Sequence, residues 1–145
     1  QIKGILTGRF APPPIASVMK YKMHAVDEGR VVFRGTPDAS VLNPMGSVHG
    51  GWYGTLLDSA MACAVSTRVP KGFFATTLEY KGNIIRPIAV GTSVEAIGET
   101  DHIGRTTGVA TGKIIGVEDG RLYATGSTTC IVIKLEPPKA NLAGL

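Results

Sequence analysis

The chain has 145 residues, 43% of them hydrophobic and 18% charged, with a net charge of +4. That profile fits one globular domain large enough to bury a core, and scattered basic residues without interleaved aromatics exclude a nucleic-acid face while leaving room for a small anionic ligand. No apolar run approaches the roughly 20 residues of a membrane span and no signal peptide is visible, so a cytoplasmic protein without a membrane partner is expected.

Gln1 to Ser17 holds Pro12-Pro13-Pro14 and is expected to be extended or loop, packed on the outside. Met19 to Glu28 alternates weakly and meets Val31-Val32-Phe33 across Glu28-Gly29, a hairpin signal. Gly35 to Leu42 reads as a loop. The next stretch organises the chain. Asn43-Pro44 and Gly50-Gly51 mark a start, and from Trp52 the spacing predicts a helix of about 17 residues. Leu56, Ala60 and Ala64 follow Trp52 at spacings of four, and Leu57, Met61 and Val65 form a neighbouring row. A helix apolar on nearly every face belongs inside a protein. Arg68, Pro70 and Gly72 mark its end. Between Gly50 and Ser66 the only charged side chain is Asp58. A buried, unpaired carboxylate is costly, so it needs partners or a purpose.

Phe73 to Ile85 reads as a strand with Leu78 and Tyr80 on one side, Glu79 and Lys81 on the other, ended by Arg86-Pro87. Thr92 to Glu99 follows, then Arg105 to Val117, closed by the hairpin signal Asp119-Gly120. Leu122 to Lys134 runs back along it, and the tail from Pro137-Pro138 to Leu145 is expected to fray. Cys63 and Cys130 read as buried thiols, not a disulfide. The order is strand, strand, long helix, then four strands linked by short turns, with no repeats. One domain spans 1–145, its core about 19–134. Short connections imply a mainly antiparallel sheet, with one helix available to cover it. The α+β arrangement that fits is a curved sheet wrapped around a buried helix, the hotdog fold.

Asn43-x5-His49-Gly50-Gly51-x6-Asp58, at the loop and first turns of that helix, resembles the hotdog thioesterases of the phenylacetic-acid-degradation (PaaI) type. The similarity runs from about Val31 to Lys134 and includes Arg86-Pro87-Ile88 and Gly104-Arg105. The resemblance implies hydrolysis of acyl-CoA thioesters, with aryl or medium-chain acyl groups, by a homodimer or a homotetramer built as a dimer of dimers. It implies that Asn43 helps hold the attacking water and that Gly50 gives its N–H to the thioester oxygen, supported by His49. Asp58 would be general base or nucleophile, and Thr77 a hydroxyl assisting with the water. Arg86, Arg105, Ser127 and Thr128 would contact the nucleotide and phosphates of CoA. No metal and no cofactor are required beyond CoA as part of the substrate.

These roles make chemical sense on their own. Thioester hydrolysis builds negative charge on the carbonyl oxygen and needs a preorganised donor there. The first free N–H of a helix supplies a hydrogen bond and the positive end of the dipole together. Glycine lets the substrate approach without a Cβ in the way. A carboxylate, ionised at neutral pH, can accept a proton or attack. Other readings stand beside them. His49 also suits a structural histidine bonding nearby backbone, Asn43 a turn residue, Thr77 an ordinary strand threonine, and the arginines solvated strand-end charges. Trp52, Tyr53, Phe73 and Phe74 suit an aryl pocket or simply a core. For the protein taken whole, the alternatives are a hotdog acyl-thioester dehydratase or hydratase, pairing His49 with Asp58, and a non-catalytic acyl-CoA-sensing domain.

Overall fold

A helix that is apolar on nearly every side must be surrounded, and the sheet accomplishes this by curling. In the computed structural model, which describes residues 2–136, the long helix α3 (Gly50–Ser66) packs against five of the six strands. Five strands at about 4.8 Å spacing are wider than the 10–12 Å diameter of a helix, so a flat sheet would not reach round it. Trp52, Leu56, Leu57, Ala60, Met61, Ala64 and Val65 are all buried, as their spacing predicts.

The strands are β1 (Tyr21–Asp27), β2 (Arg30–Gly35), β3 (Phe73–Ile84), β4 (Val94–Ile103), β5 (Thr107–Gly116) and β6 (Leu122–Lys134). All pairings are antiparallel, in the spatial order β1-β2-β4-β5-β6-β3. This is the hotdog fold.

Several expectations are corrected. Two short helices, α1 (Ile2–Leu6) and α2 (Pro14–Val18), form where loop was expected. Pro14 is the first residue of α2, where its fixed φ suits a helix and its missing N–H is not needed. A 3₁₀ turn covers Ala39–Val41 inside the expected loop. Helix α3 begins at Gly50, not Trp52, because His49 caps it. Strand β5 begins at Thr107, so Arg105 lies in the β4–β5 turn and not at a strand start. Strand β3 is not hairpin-linked to β4; it crosses to the far edge and, among the described residues, pairs with β6 alone. The strict alternation expected along β3 is broken by a bulge at Leu78, where Thr77 pairs with Cys130 and Glu79 with Thr129. The tail expected to fray after Pro137-Pro138 lies outside the described residues.

Candidate active site

The site begins in the turn before α3. Asn43 Oδ1 accepts from the N–H groups of Met45 and Ser47, both at 3.0 Å, and the turn passes through Gly46 at φ 81°. This returns the chain so that His49 N–H donates to Val41 O at 2.9 Å. His49 then caps the helix, its Nδ1 accepting from Gly51 N–H at 2.8 Å. An imidazole whose Nδ1 accepts carries its proton on Nε2 when neutral. Trp52 N–H donates to His49 O at 2.9 Å. The Gly50 N–H finds no acceptor among the described residues, and Gly50 is exposed. The helix thus offers a free donor at the positive end of its dipole.

Gly50, Gly54 and Asp58 are spaced by four and share one face of α3. Strand β3 lies over that face. Ile84 Cδ1 is 3.4 Å from where a Gly50 Cβ would sit, and Tyr80 Oη is 2.8 Å from the corresponding point at Gly54. Thr77 donates to Asp58 Oδ1 at 2.7 Å. Asp58 itself is half-buried, so the carboxylate is neither stranded in the core nor fully in water. The structure brings Asp58 and Thr77 together and puts Asn43, His49 and Gly50 together two helical turns away, about 12 Å along the axis.

The surroundings of Asp58 hold other polar groups in fixed states. Tyr21 Oη and Ser59 Oγ are hydrogen-bonded at 2.8 Å, and burial, offset in part by that bond, raises the tyrosine pKa. Burial, reinforced by the Asp58 charge, pushes the Cys63 thiol up to about 12. Burial also raises Cys130. Both are free thiols, and thiols held this way are poor nucleophiles.

The proposed CoA contacts are dispersed. Arg86 Nη1 donates to Leu122 O at 2.9 Å and its guanidinium lies 5.9 Å from the Tyr123 ring. Tyr53 Oη donates to Arg86 O at 3.2 Å and accepts from Ile88 N–H at 2.8 Å, fixing this segment beside the start of α3. Arg105 is exposed in the β4–β5 turn, near the other end of the helix, where Gly108 approaches Val65. Ser127 is exposed, whereas the Thr128 hydroxyl is buried and donates to Glu79 O at 2.7 Å. Trp52 and Tyr53 are core residues; Trp52 Nε1 is committed to Met19 O at 2.7 Å. Sequence reasoning passed over Tyr80 as a site residue. The available signal was Gly54, a glycine inside a helix, where Ala is preferred by about 1 kcal/mol unless something needs the space. Among the described residues no group of three or more His, Cys, Asp or Glu side chains is placed to hold a metal ion, and no helix is long and apolar enough to cross a membrane.

Solved structures share this architecture. The chain superposes on the PaaI protein of the E. coli phenylacetic acid degradation operon with a TM-score of 0.81 at 23% identity, covering 93% of this chain and 96% of that one. A mutant of the phenylacetic acid degradation protein PaaI from Thermus thermophilus gives 0.74 at 28% identity, covering 82% and 98%. A thioesterase family protein from Silicibacter pomeroyi gives 0.82 at 25% identity, covering 92% and 99%. A comparison with curated proteins finds no match. The family model of the thioesterase superfamily matches residues 45–123, more than half of the 145. The chain belongs to the thioesterase superfamily and has the hotdog fold of its PaaI type.

Proposed function

We propose that this protein hydrolyses acyl-CoA thioesters to the free acid and CoA, in sites shared across a homodimer. The observation that carries the reading is the row Gly50, Gly54, Asp58. A free N–H stands at one end of it and a carboxylate oriented by Thr77 at the other. In the base mechanism, Asp58 takes a proton from water as the water oxygen bonds to the thioester carbon. The Gly50 N–H stabilises the negative oxygen, the C–S bond breaks, and the CoA sulfur leaves and is protonated. In the nucleophile mechanism, the Asp58 carboxylate bonds to the thioester carbon, the C–S bond breaks and the CoA thiolate leaves to be protonated. Water then hydrolyses the mixed anhydride to the free acid and the Asp58 carboxylate. Asn43, whose Oδ1 is engaged by backbone, has its NH₂ available to hold the water. Arg86, Arg105 and Ser127 are the proposed CoA contacts, whereas the buried Thr128 hydroxyl is committed to Glu79 O. The two arginines stand near opposite ends of α3, so a joint grip on one nucleotide would use different subunits.

The dehydratase alternative needs a histidine free to take a proton from carbon. His49 commits Nδ1 to the helix cap, which leaves Nε2–H as a donor and favours hydrolysis. A thiol-release assay over a panel of acyl-CoAs tests the proposal and separates it from a sensing domain, which releases no CoA. In the same assay Asp58→Asn keeps the volume and removes the charge. Turnover should fall by on the order of a hundredfold or more with the fold intact by thermal melting. A near-normal rate in this variant would remove Asp58 from the mechanism.

A further inference from the structure

The bulge at Leu78 changes which side chains of β3 reach the helix. With strict alternation, Thr77 and Tyr80, three residues apart, would face opposite sides of the sheet. The extra residue restores them to the same side, as a bulge does when it re-aims a strand. Thr77 then meets Asp58 while Tyr80 meets Gly54. A Cβ at Gly54 would lie 2.8 Å from Tyr80 Oη and 3.2 Å from Cε2, so the outer edge of the ring rests on the helix backbone. Tyr80 is nevertheless 45% exposed, and its hydroxyl has no hydrogen-bond partner among the described residues. The other candidate aromatics are elsewhere. Trp52 and Tyr53 are buried, and Phe73 and Phe74 pair with Lys134 and Ile133 at the start of β3, on the far side of Thr77 from the Gly50 N–H. Tyr80 is the aromatic with open surface alongside the row of Gly50, Gly54 and Asp58.

We propose that Tyr80 sets the length of the acyl group, closing the space over Gly54 so that short acyl groups, aromatic ones foremost, are accepted and long alkyl chains are refused. This rests on the shared-site thioesterase reading. If Gly50 of one subunit faces Asp58 of the partner subunit, the two-fold axis passes beside Gly54, which is four residues from each. From either end of the row to Gly54 is about 6 Å, the reach of a phenyl ring or roughly five carbons of chain. An acyl group directed along this face meets Tyr80 at that distance. Its ring offers a flat apolar wall on which another aromatic ring packs well.

The test is kcat/KM for straight-chain acyl-CoAs from acetyl to dodecanoyl and for benzoyl- and phenylacetyl-CoA. The wild type should prefer aryl and short acyl groups. Tyr80→Ala should raise dodecanoyl-CoA relative to phenylacetyl-CoA by roughly tenfold or more, whereas Tyr80→Phe should keep the wild-type profile. Gly54→Ala, which displaces the ring from the helix side, should lower phenylacetyl-CoA and spare acetyl-CoA. A Tyr80→Ala profile superimposable on wild type, or a wild type that prefers dodecanoyl-CoA, overturns the proposal. Calorimetric binding of non-hydrolysable S-alkyl and S-benzyl CoA thioethers reads the same length selectivity without turnover. Hydrolysis of nothing in the panel, with thioether binding that shortens its preference through Tyr80, would remove the thioesterase reading and keep this one. Binding of no thioether overturns both.

Discussion

Among the described residues, Asp58 and Thr77 form the one side-chain hydrogen bond that joins α3 to β3, at 2.7 Å. A carboxylate that must take a proton or attack at one angle gains from such a donor, because orientation is worth more to a rate than to stability. Thr77→Val keeps the shape and removes the donor. The expected result is a fall in kcat of about tenfold to a hundredfold, with KM little changed and the melting temperature close to wild type. Thr77→Ser restores the hydroxyl and should recover most of the rate. A Val variant with unchanged kcat would make the threonine a packing residue only. The neighbouring thiols have a different role. Cys63 and Cys130 are held protonated by burial and line the Asp58 neighbourhood as small apolar groups.

The close fit of helix to sheet depends on a row of glycines. Gly98 pairs with Gly112, Gly112 with Gly126, and Gly126 with Gly82, so four glycines lie side by side across β4, β5, β6 and β3. Above them run Leu57, Ala60 and Met61. The bulk is on the helix and at this row the strands carry no side chains beneath it, which lets α3 sit low enough for the curled strands to reach its sides. At Gly98 the contact is to backbone: a Cβ there would collide with the Ala60 carbonyl. Backbone cannot rotate away as a side chain can, so Gly98→Ala should lose about 1–3 kcal/mol in chemical denaturation. Gly104→Ala is the control. Its Cβ would sit 3.4 Å from Thr107 O, an ordinary contact, and the change should stay within about 0.5 kcal/mol. Equal effects at the two positions would mean that the glycine row is not what sets the helix height.

The two edges of the sheet differ, and the difference bears on assembly. Helices α1 and α2 pack against β1, whereas among the described residues the outer edge of β3 pairs with no further strand, and β3 carries exposed Leu78, Tyr80, Ile84 and, just beyond its end, Ile85. An uncovered edge with apolar side chains is a template for pairing. Joining two copies there would place two α3 helices antiparallel, and only then can one carbonyl meet Gly50 and Asp58, which are about 12 Å apart in a single chain. Complementation tests this. Gly50→Pro removes the N–H at a first helical position, where proline is tolerated. The preceding His49, at φ −60° and ψ 138°, already has the backbone that a following proline requires. Asp58→Ala removes the carboxylate. Each homodimer should be nearly inactive. Randomly mixed, about half the dimers carry one intact site out of two, so roughly a quarter of wild-type activity should return. Mixed dimers that form with folded subunits and regain nothing would rule out shared sites.

Elements whose signal lies within one segment were legible from the chain alone. Helix α3 could be read from Trp52 to Val65 because a helix apolar on almost every side is buried whatever surrounds it. Strand β6 could be read from Leu122 to Lys134 because the Asp119-Gly120 turn that sends it back along the preceding strand is local. The hotdog arrangement followed from the order of the elements, and the spacing from Asn43 to Asp58 carried the resemblance to the PaaI-type thioesterases. The pairing of β3 did not, because a strand's partner is chosen by burial and hydrogen bonds across the whole chain. Nor did the extra residue at Leu78, since a bulge exists only relative to the strand opposite. The register of four glycines and the meeting of Tyr80 with Gly54 have the same origin. Each depends on residues far apart in the chain coming to the same height along a helix, and no periodicity within a segment records that height.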